Sequence, residues 1–222
     1  MKKTCFIATQ LIIALASLLL AACSTNVTVS GDYPSALTKP LPYHVGLVLN
    51  DSFTQYTFES HKEQNVTMAL GQSQSKLFDR VFTDIFANKS SLQTVSKQAS
   101  SNSSPVDLMV VPNVEEVQLA MPFETRLNVF EVWIKYNVQV FNGNGEPIAD
   151  WLMSAYGKTQ TRFLKSEEAA LDQATTAALR DAGVRLIIGF KHIPEIRDWI
   201  ELQEKQEQQE ATKVMAKSGE PS

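Results

Sequence analysis

Cysteine is scarce in this chain, and where the two cysteines fall matters more than their number. Cys5 and Cys23 both precede the body of the sequence, so no disulfide framework is available and stability must come from burying apolar side chains, which make up 44% of the residues. Histidine is equally sparse. His44, His61 and His192 lie far apart with no His, Cys or acid at ligand spacing, so neither zinc nor another metal is expected. Positive charge is in deficit, with 20 Lys and Arg against 24 Asp and Glu, and no basic stripe is long enough to neutralise a run of phosphates. Nucleic acid is therefore excluded as an expected partner.

Complete catalytic patterns are missing as well. Gly71-Gln72-Ser73-Gln74-Ser75 starts like a nucleophile elbow but lacks the closing glycine. Gly143-Asn144-Gly145 lacks the rest of a dinucleotide or phosphate-loop pattern and fits a hairpin turn instead. The adjacent Glu115 and Glu116 would point to opposite faces of a regular strand, a poor arrangement for acid-base work. No enzyme, no catalytic residue and no dissociable cofactor is expected.

What is present begins at the N-terminus. Lys2 and Lys3 precede an apolar run over 6–20 that is broken only by Thr9, Gln10 and Ser17. A basic start and a run shorter than the roughly 20 residues of a membrane span read as a secretory signal peptide. It ends in Leu20-Ala21-Ala22-Cys23. These four residues resemble the lipobox of bacterial lipoproteins. The resemblance implies cleavage before Cys23, a diacylglyceryl thioether on its sulfur and an acylated amino group. Each buried methylene adds about 0.8 kcal/mol, so several acyl chains hold a soluble domain on a membrane essentially permanently. The residue after the lipidated cysteine is Ser24 and not an aspartate, which under the same resemblance implies the outer membrane, with the domain facing the periplasm. Removing residues 1–22 takes Lys2 and Lys3 and no acid, moving the formal charge from −4 to −6.

The organisation expected from these signals is a signal peptide over 1–22, a lipidated flexible tether over 23–42, a globular domain over 43–202 and a polar tail over 203–222, a frayed helix that runs into disorder. The tether is Ser-, Thr-, Pro- and Gly-rich and shows no buried periodicity. Within the domain, Tyr43, Val45, Leu47 and Leu49 alternate as in a strand that stops at Asn50-Asp51-Ser52. Leu77, Phe78, Val81, Phe82, Ile85 and Phe86 recur at helical spacing and form one wide stripe within 67–88. That stripe is either core packing or one wall of an apolar ligand site. Residues 107–121 read as a strand whose apolar parity switches, which places a bulge near Glu115-Glu116.

The clearest pattern is a hairpin. Phe130, Val132, Ile134, Tyr136, Val138 and Val140 share one face before the turn chemistry of Asn142-Gly143-Asn144-Gly145. A two- or four-residue loop carries that face onto Trp151 and Met153. With Asn142 opposite Gly145, Trp133 falls across from Ser154, Lys135 from Leu152 and Glu131 from Tyr156. Trp133, Leu152 and Tyr156 then form an apolar island on a polar sheet face. Either it meets a protein partner or a loop or the C-terminal tail covers it; a three-residue loop would reverse the parity and remove it.

Ser166 with Glu167 and Glu168 opens a second helix whose small face comprises Ala170, Leu171, Ala174, Ala177 and Ala178. Gly183 is expected to end or kink it, and Pro194 to begin a last helix. The expected fold is α+β, a two-layer sandwich of a mostly antiparallel sheet with two helices on one face. Element order and lipobox together resemble small α/β lipoproteins of Gram-negative envelopes, including lipopolysaccharide-assembly, lipid-transport auxiliary and curli-type secretion lipoproteins. That implies a non-catalytic envelope protein acting through protein contacts. The competing expectation is a carrier of an apolar ligand beside Phe78, Phe82 and Phe86.

Overall fold

A computed structural model of the chain describes residues 24–29, 33, 35, 39–61, 65–92, 105–125, 127–160 and 166–218. Cys23, the signal peptide and much of the expected tether lie outside the described residues. Among the described residues, eight strands and five α-helices follow in the order β1 (Ser24–Thr28), β2 (Leu41–Val48), α1 (Asp51–Thr54), β3 (Thr57–His61), β4 (Asn65–Ala69), α2 (Gly71–Ile85), β5 (Phe86–Leu92), β6 (Leu108–Ala120), α3 (Pro122–Thr125), β7 (Val129–Asn142), β8 (Pro147–Gln160), α4 (Glu167–Gly189) and α5 (Pro194–Ser218), with a short 3-10 turn at Phe190–His192.

The α+β class holds, but the simple sandwich does not. The main sheet has five strands in the order β5-β2-β6-β7-β8, and β2 pairs in parallel with both of its neighbours. Only the β6-β7-β8 half is antiparallel. The parallel half escaped sequence reasoning because the alternation of Tyr43, Val45, Leu47 and Leu49 marks a strand but not its partners; β2 is buried on both faces, with Val45, Gly46, Leu47 and Val48 all buried, as strands with parallel neighbours are. A second sheet of three strands, β1-β4-β3, was also not expected.

Two expected boundaries are corrected. Residues 24–28 are not free tether: β1 runs parallel to β4, and Val27 and Val29 are buried in the core. The signal was the alternation Thr25, Val27, Val29 inside a polar stretch. At the other end, the expected fraying does not begin at 203: residues 203–218 continue α5. Nothing between Pro194 and Ser218 breaks a helix, and Glu, Gln, Lys and Ala are good helix formers even without a buried face.

The core lies between the main sheet and the pair α2 and α4. Val132, Ile134, Tyr136, Val138 and Val140 of β7 are completely buried, as the hairpin pattern requires. The α2 stripe is buried along its length, and its rings pack on protein: Phe78 edge-on to Phe53 at 5.1 Å and to Tyr136 at 5.3 Å, Phe82 edge-on to Phe190 at 5.3 Å. Of the two readings of that stripe, the structure shows core packing; the space beside Phe78 and Phe82 is filled by the chain's own rings. A buried polar relay ties α1, α2 and β7 together. Tyr136 donates to Gln74 Oε1 at 3.2 Å, and Gln74 Nε2 donates to the Phe53 carbonyl at 2.6 Å, so each buried polar group finds a partner.

Helix α4 begins where its signals say, with Ser166 Oγ accepting from the Ala169 N–H at 3.2 Å. Its Ala170, Ala174, Ala178 and Ala182 face is buried and lies on β8 at Gly157, where any Cβ would intrude on the Ala174 and Ala178 backbone. Gly183 does not end the helix, which runs on to Gly189. Gly183 instead lies close to Leu77, so α2 and α4 approach at that point.

Candidate functional site

The β6-β7-β8 meander positions the candidate site on the sheet face away from α2 and α4, and two irregularities set its register. In β6 the pairing shifts between Val114 and Glu116, leaving Glu115 as the extra residue of a bulge where the apolar parity switches. The second irregularity lies at the hairpin. Gly145 N–H donates to the Asn142 carbonyl, Asn142 N–H to the Glu146 carbonyl, and Gly145 has φ of 83°. This is a three-residue loop with glycine in the left-handed position, which reverses the strand parity. The register then shifts once more, from Phe141 opposite Pro147 to Val140 opposite Ala149, so Ile148 is an extra residue that restores the parity.

The core face therefore lands where it was expected, but every cross-strand partner is displaced by two residues. Trp133 stands opposite Tyr156, Lys135 opposite Ser154 and Asn137 opposite Leu152. The expected pairings of Trp133 with Ser154, Lys135 with Leu152 and Glu131 with Tyr156 are corrected accordingly. The shift draws two of the three island residues into contact: the rings of Trp133 and Tyr156 have centroids 5.0 Å apart and are tilted by 37°. Leu152 stays separate, 55% exposed, with Ser154 between it and Tyr156 on the same face.

Polar neighbours fix the aromatic pair. Tyr156 donates its hydroxyl to Glu131 Oε1 at 2.7 Å, and its backbone N–H donates to Asp181 Oδ2 at 2.9 Å. Burial first, then the hydrogen bond and charge of Glu131, push the Tyr156 phenol up to about 12. Asp181 also accepts from Arg185 Nε at 2.8 Å, so α4 places charged groups along the outer edge of β8. Such charges suit an edge strand that must not pair indiscriminately. On the other side of Trp133 stands Gln118 of β6, which donates to Glu116 Oε1 at 2.6 Å. In the C-terminal helix, Trp199 packs edge-on against Tyr43, with centroids 4.9 Å apart, and residues 204–215 are exposed.

Trp133 also reaches a groove that sequence reasoning missed. β2 pairs with β6 only through Val45, Gly46 and Leu47. The chain then turns away at α1, whose N-cap Asn50 accepts from Phe53 N–H at 3.0 Å, and returns as β3. Residues 58–61 of β3 and 117–120 of β6 line an open groove of about 650 Å³, together with Glu124 and Trp133. At its end, α3 and the following turn carry Phe123 and Leu127, 48% and 68% exposed. The switch at Asn50-Asp51-Ser52 marks where β2 stops, but nothing local marks what then faces β6.

The histidines are engaged locally. His44 Nε2 lies 2.7 Å from Ser90 Oγ and its Nδ1 3.0 Å from the Pro105 carbonyl, an arrangement in which Nδ1–H donates to the carbonyl and Ser90 to Nε2. His61 pairs with Glu59 at 3.5 Å. Among the described residues no three His, Cys, Asp or Glu side chains cluster as metal ligands, and no helix is long and apolar enough to cross a membrane.

No family model and no curated protein matches this sequence. Solved structures do. A crystal structure of a Xanthomonas campestris protein assigned to the family DUF330 superposes with a TM-score of 0.50 at 12% identity, covering 82% of this chain and 98% of that one. A minor lipoprotein from Acinetobacter baumannii aligns over 67% of this chain and 90% of its own, at 10% identity and a TM-score of 0.41. What this chain shares with the Xanthomonas protein is the fold.

Proposed function

We propose that this chain is a non-catalytic, lipid-anchored envelope protein that works as an accessory or assembly factor through protein contacts. Its anchor is the lipid on Cys23, its membrane is the outer membrane, and its domain faces the periplasm. The observation that carries the partner-binding reading is the Trp133–Tyr156 pair, with Leu152 nearby, on the face of the main sheet opposite α2 and α4. Aromatic side chains offer large contact area with few rotors to immobilise and recur at the centres of interfaces. The lipobox supports the anchor, and the short link from Cys23 to β1 supports a domain held close to the membrane.

Two variants test the parts separately. Cys23→Ala should release the chain from the membrane fraction and abolish incorporation of labelled palmitate while leaving the domain folded. Joint replacement of Trp133 and Tyr156 by alanine should leave the anchor intact and reduce recovery of the partner from crosslinked envelopes. Unchanged palmitate labelling in the first case, or unchanged partner recovery in the second, removes the corresponding half of the proposal.

A further inference from the structure

Among the described residues, the groove between β3 and β6 is walled by two strand edges without a strand partner: β3 pairs there only with β4, and β6 beyond Val110 only with β7. Among the described residues no backbone hydrogen bond crosses from one wall to the other. Open strand edges bind extended chain, because their N–H and C=O groups are spaced for another strand. We infer that this groove receives a short extended segment of a protein partner, added as a strand between β3 and β6, with apolar and basic residues in alternation. The inference rests on the partner-binding reading above and supplies the partner's chemistry.

Size, floor and charge each select that occupant. A residue in a sheet takes about 3.3 Å along the strand, about 4.8 Å across it and about 10 Å between layers, or about 160 Å³. The groove of about 650 Å³ thus holds about four residues, matching the four residues of β3 and the four of β6 that line it. Its floor is apolar: Val117 and Leu119 are buried, and Phe58 packs against the core. An inserted strand would place every second side chain there. The lining also holds Glu59, which faces His61 at 3.5 Å, Glu124, which accepts from the Met121 N–H, and Trp133, with no Lys or Arg among the lining residues. A cationic side chain in the alternate positions meets two carboxylates and an indole face.

The test uses the mature chain and a labelled, acetylated pentapeptide, Val-Arg-Val-Arg-Val, followed by fluorescence anisotropy. The inference predicts saturable binding that weakens with salt, a preference over Val-Glu-Val-Glu-Val that Glu59→Lys diminishes, and about tenfold weaker binding when alternate peptide amides are N-methylated. N-methylation is the discriminating step, since it removes backbone donors while keeping every side chain. Equal binding of the methylated peptide, or no saturable binding, overturns strand addition. So does a concentration-dependent dimer of the chain that Glu59→Lys dissociates, which would assign the groove to a second copy. Crosslinking from position 152 in cells reports on the aromatic face by itself. A partner trapped there with no peptide binding removes only the strand inference, and peptide binding with nothing trapped there removes only the partner reading of that face.

Discussion

Trp133 and Tyr156 stand directly opposite each other across β7 and β8, with ring centroids 5.0 Å apart and planes 37° from parallel. Packed aromatic pairs contribute about 0.5–1.5 kcal/mol beyond their area burial. A double-mutant cycle with Trp133→Ala and Tyr156→Ala should give a coupling energy of about 1 kcal/mol in urea unfolding, with m unchanged. A coupling energy of zero would mean the two rings do not act as a unit.

Gly157 bears the weight of helix α4, because any Cβ there meets the Ala174 and Ala178 backbone, which has no rotamer to move. Gly157→Val should destabilise the domain by about 3 kcal/mol, as overpacking against backbone does. Chemical denaturation reads this as a lower midpoint; an unchanged midpoint would contradict the close approach of α4 to β8.

Tyr136→Phe should cost about 1–2 kcal/mol, more than its single lost hydrogen bond, because Gln74 Oε1 is then left buried without its donor. Replacing Gln74 by Leu in the same chain should recover part of that loss. Unfolding midpoints of the two variants decide the point, and equal stability of Tyr136→Phe and the parent chain would show that the relay is not needed.

Burial is the leading cause of a raised phenol pKa at Tyr33, Tyr136 and Tyr156, with Tyr33 and Tyr156 each pushed up to about 12. The native state therefore holds these protons where the unfolded chain, with phenols near the ordinary value of about 10, releases them. Stability is intact below about pH 10 and falls as pH rises through about 12. Tyrosinate absorbance should appear together with loss of native circular dichroism. Free titration of these phenols near pH 10 in folded protein would contradict their burial.

Deleting Glu115 should be far more damaging than replacing it by alanine. The deletion removes the bulge and sends Val117, Leu119 and Met121, all buried, to the opposite face of β6, since a one-residue slip inverts every side chain. The alanine variant keeps the register and should stay within about 0.5 kcal/mol of the parent, as surface changes do. Thermal unfolding of both variants distinguishes bulge from side chain.

How far the sequence was legible follows from what each segment buries. Amphipathic elements declared themselves: the α2 stripe as far as Ile85, the β7 alternation, the parity switch at Glu115 and the Ser166 cap appear in place, whereas 67–69 and 86–88, expected within the helix, are strand. β2, buried on both sides, gave no sign of the two strands that flank it in parallel. β1 was hidden because a polar stretch with only Val27 and Val29 inward looks like linker, and the strand exists only because β4 is there to pair with it. At the site, residue identities were readable and distances were not. The hairpin places a parity-reversing loop and a parity-restoring residue, Ile148, within six residues, so the right face emerged with the wrong partners. The groove was beyond local pattern altogether, because its walls are 56 or more residues apart in the chain and meet only through the fold.

The central claim is that the face bearing Trp133 meets a protein. Its most direct test is a photoreactive residue at position 133 in the full, lipidated chain, irradiated in intact cells, with position 204 on the exposed part of α5 as control. The account predicts one discrete protein adduct from position 133, absent from the control and lost when Tyr156 is replaced by alanine. No adduct from position 133, or the same set of adducts from both positions, would contradict it.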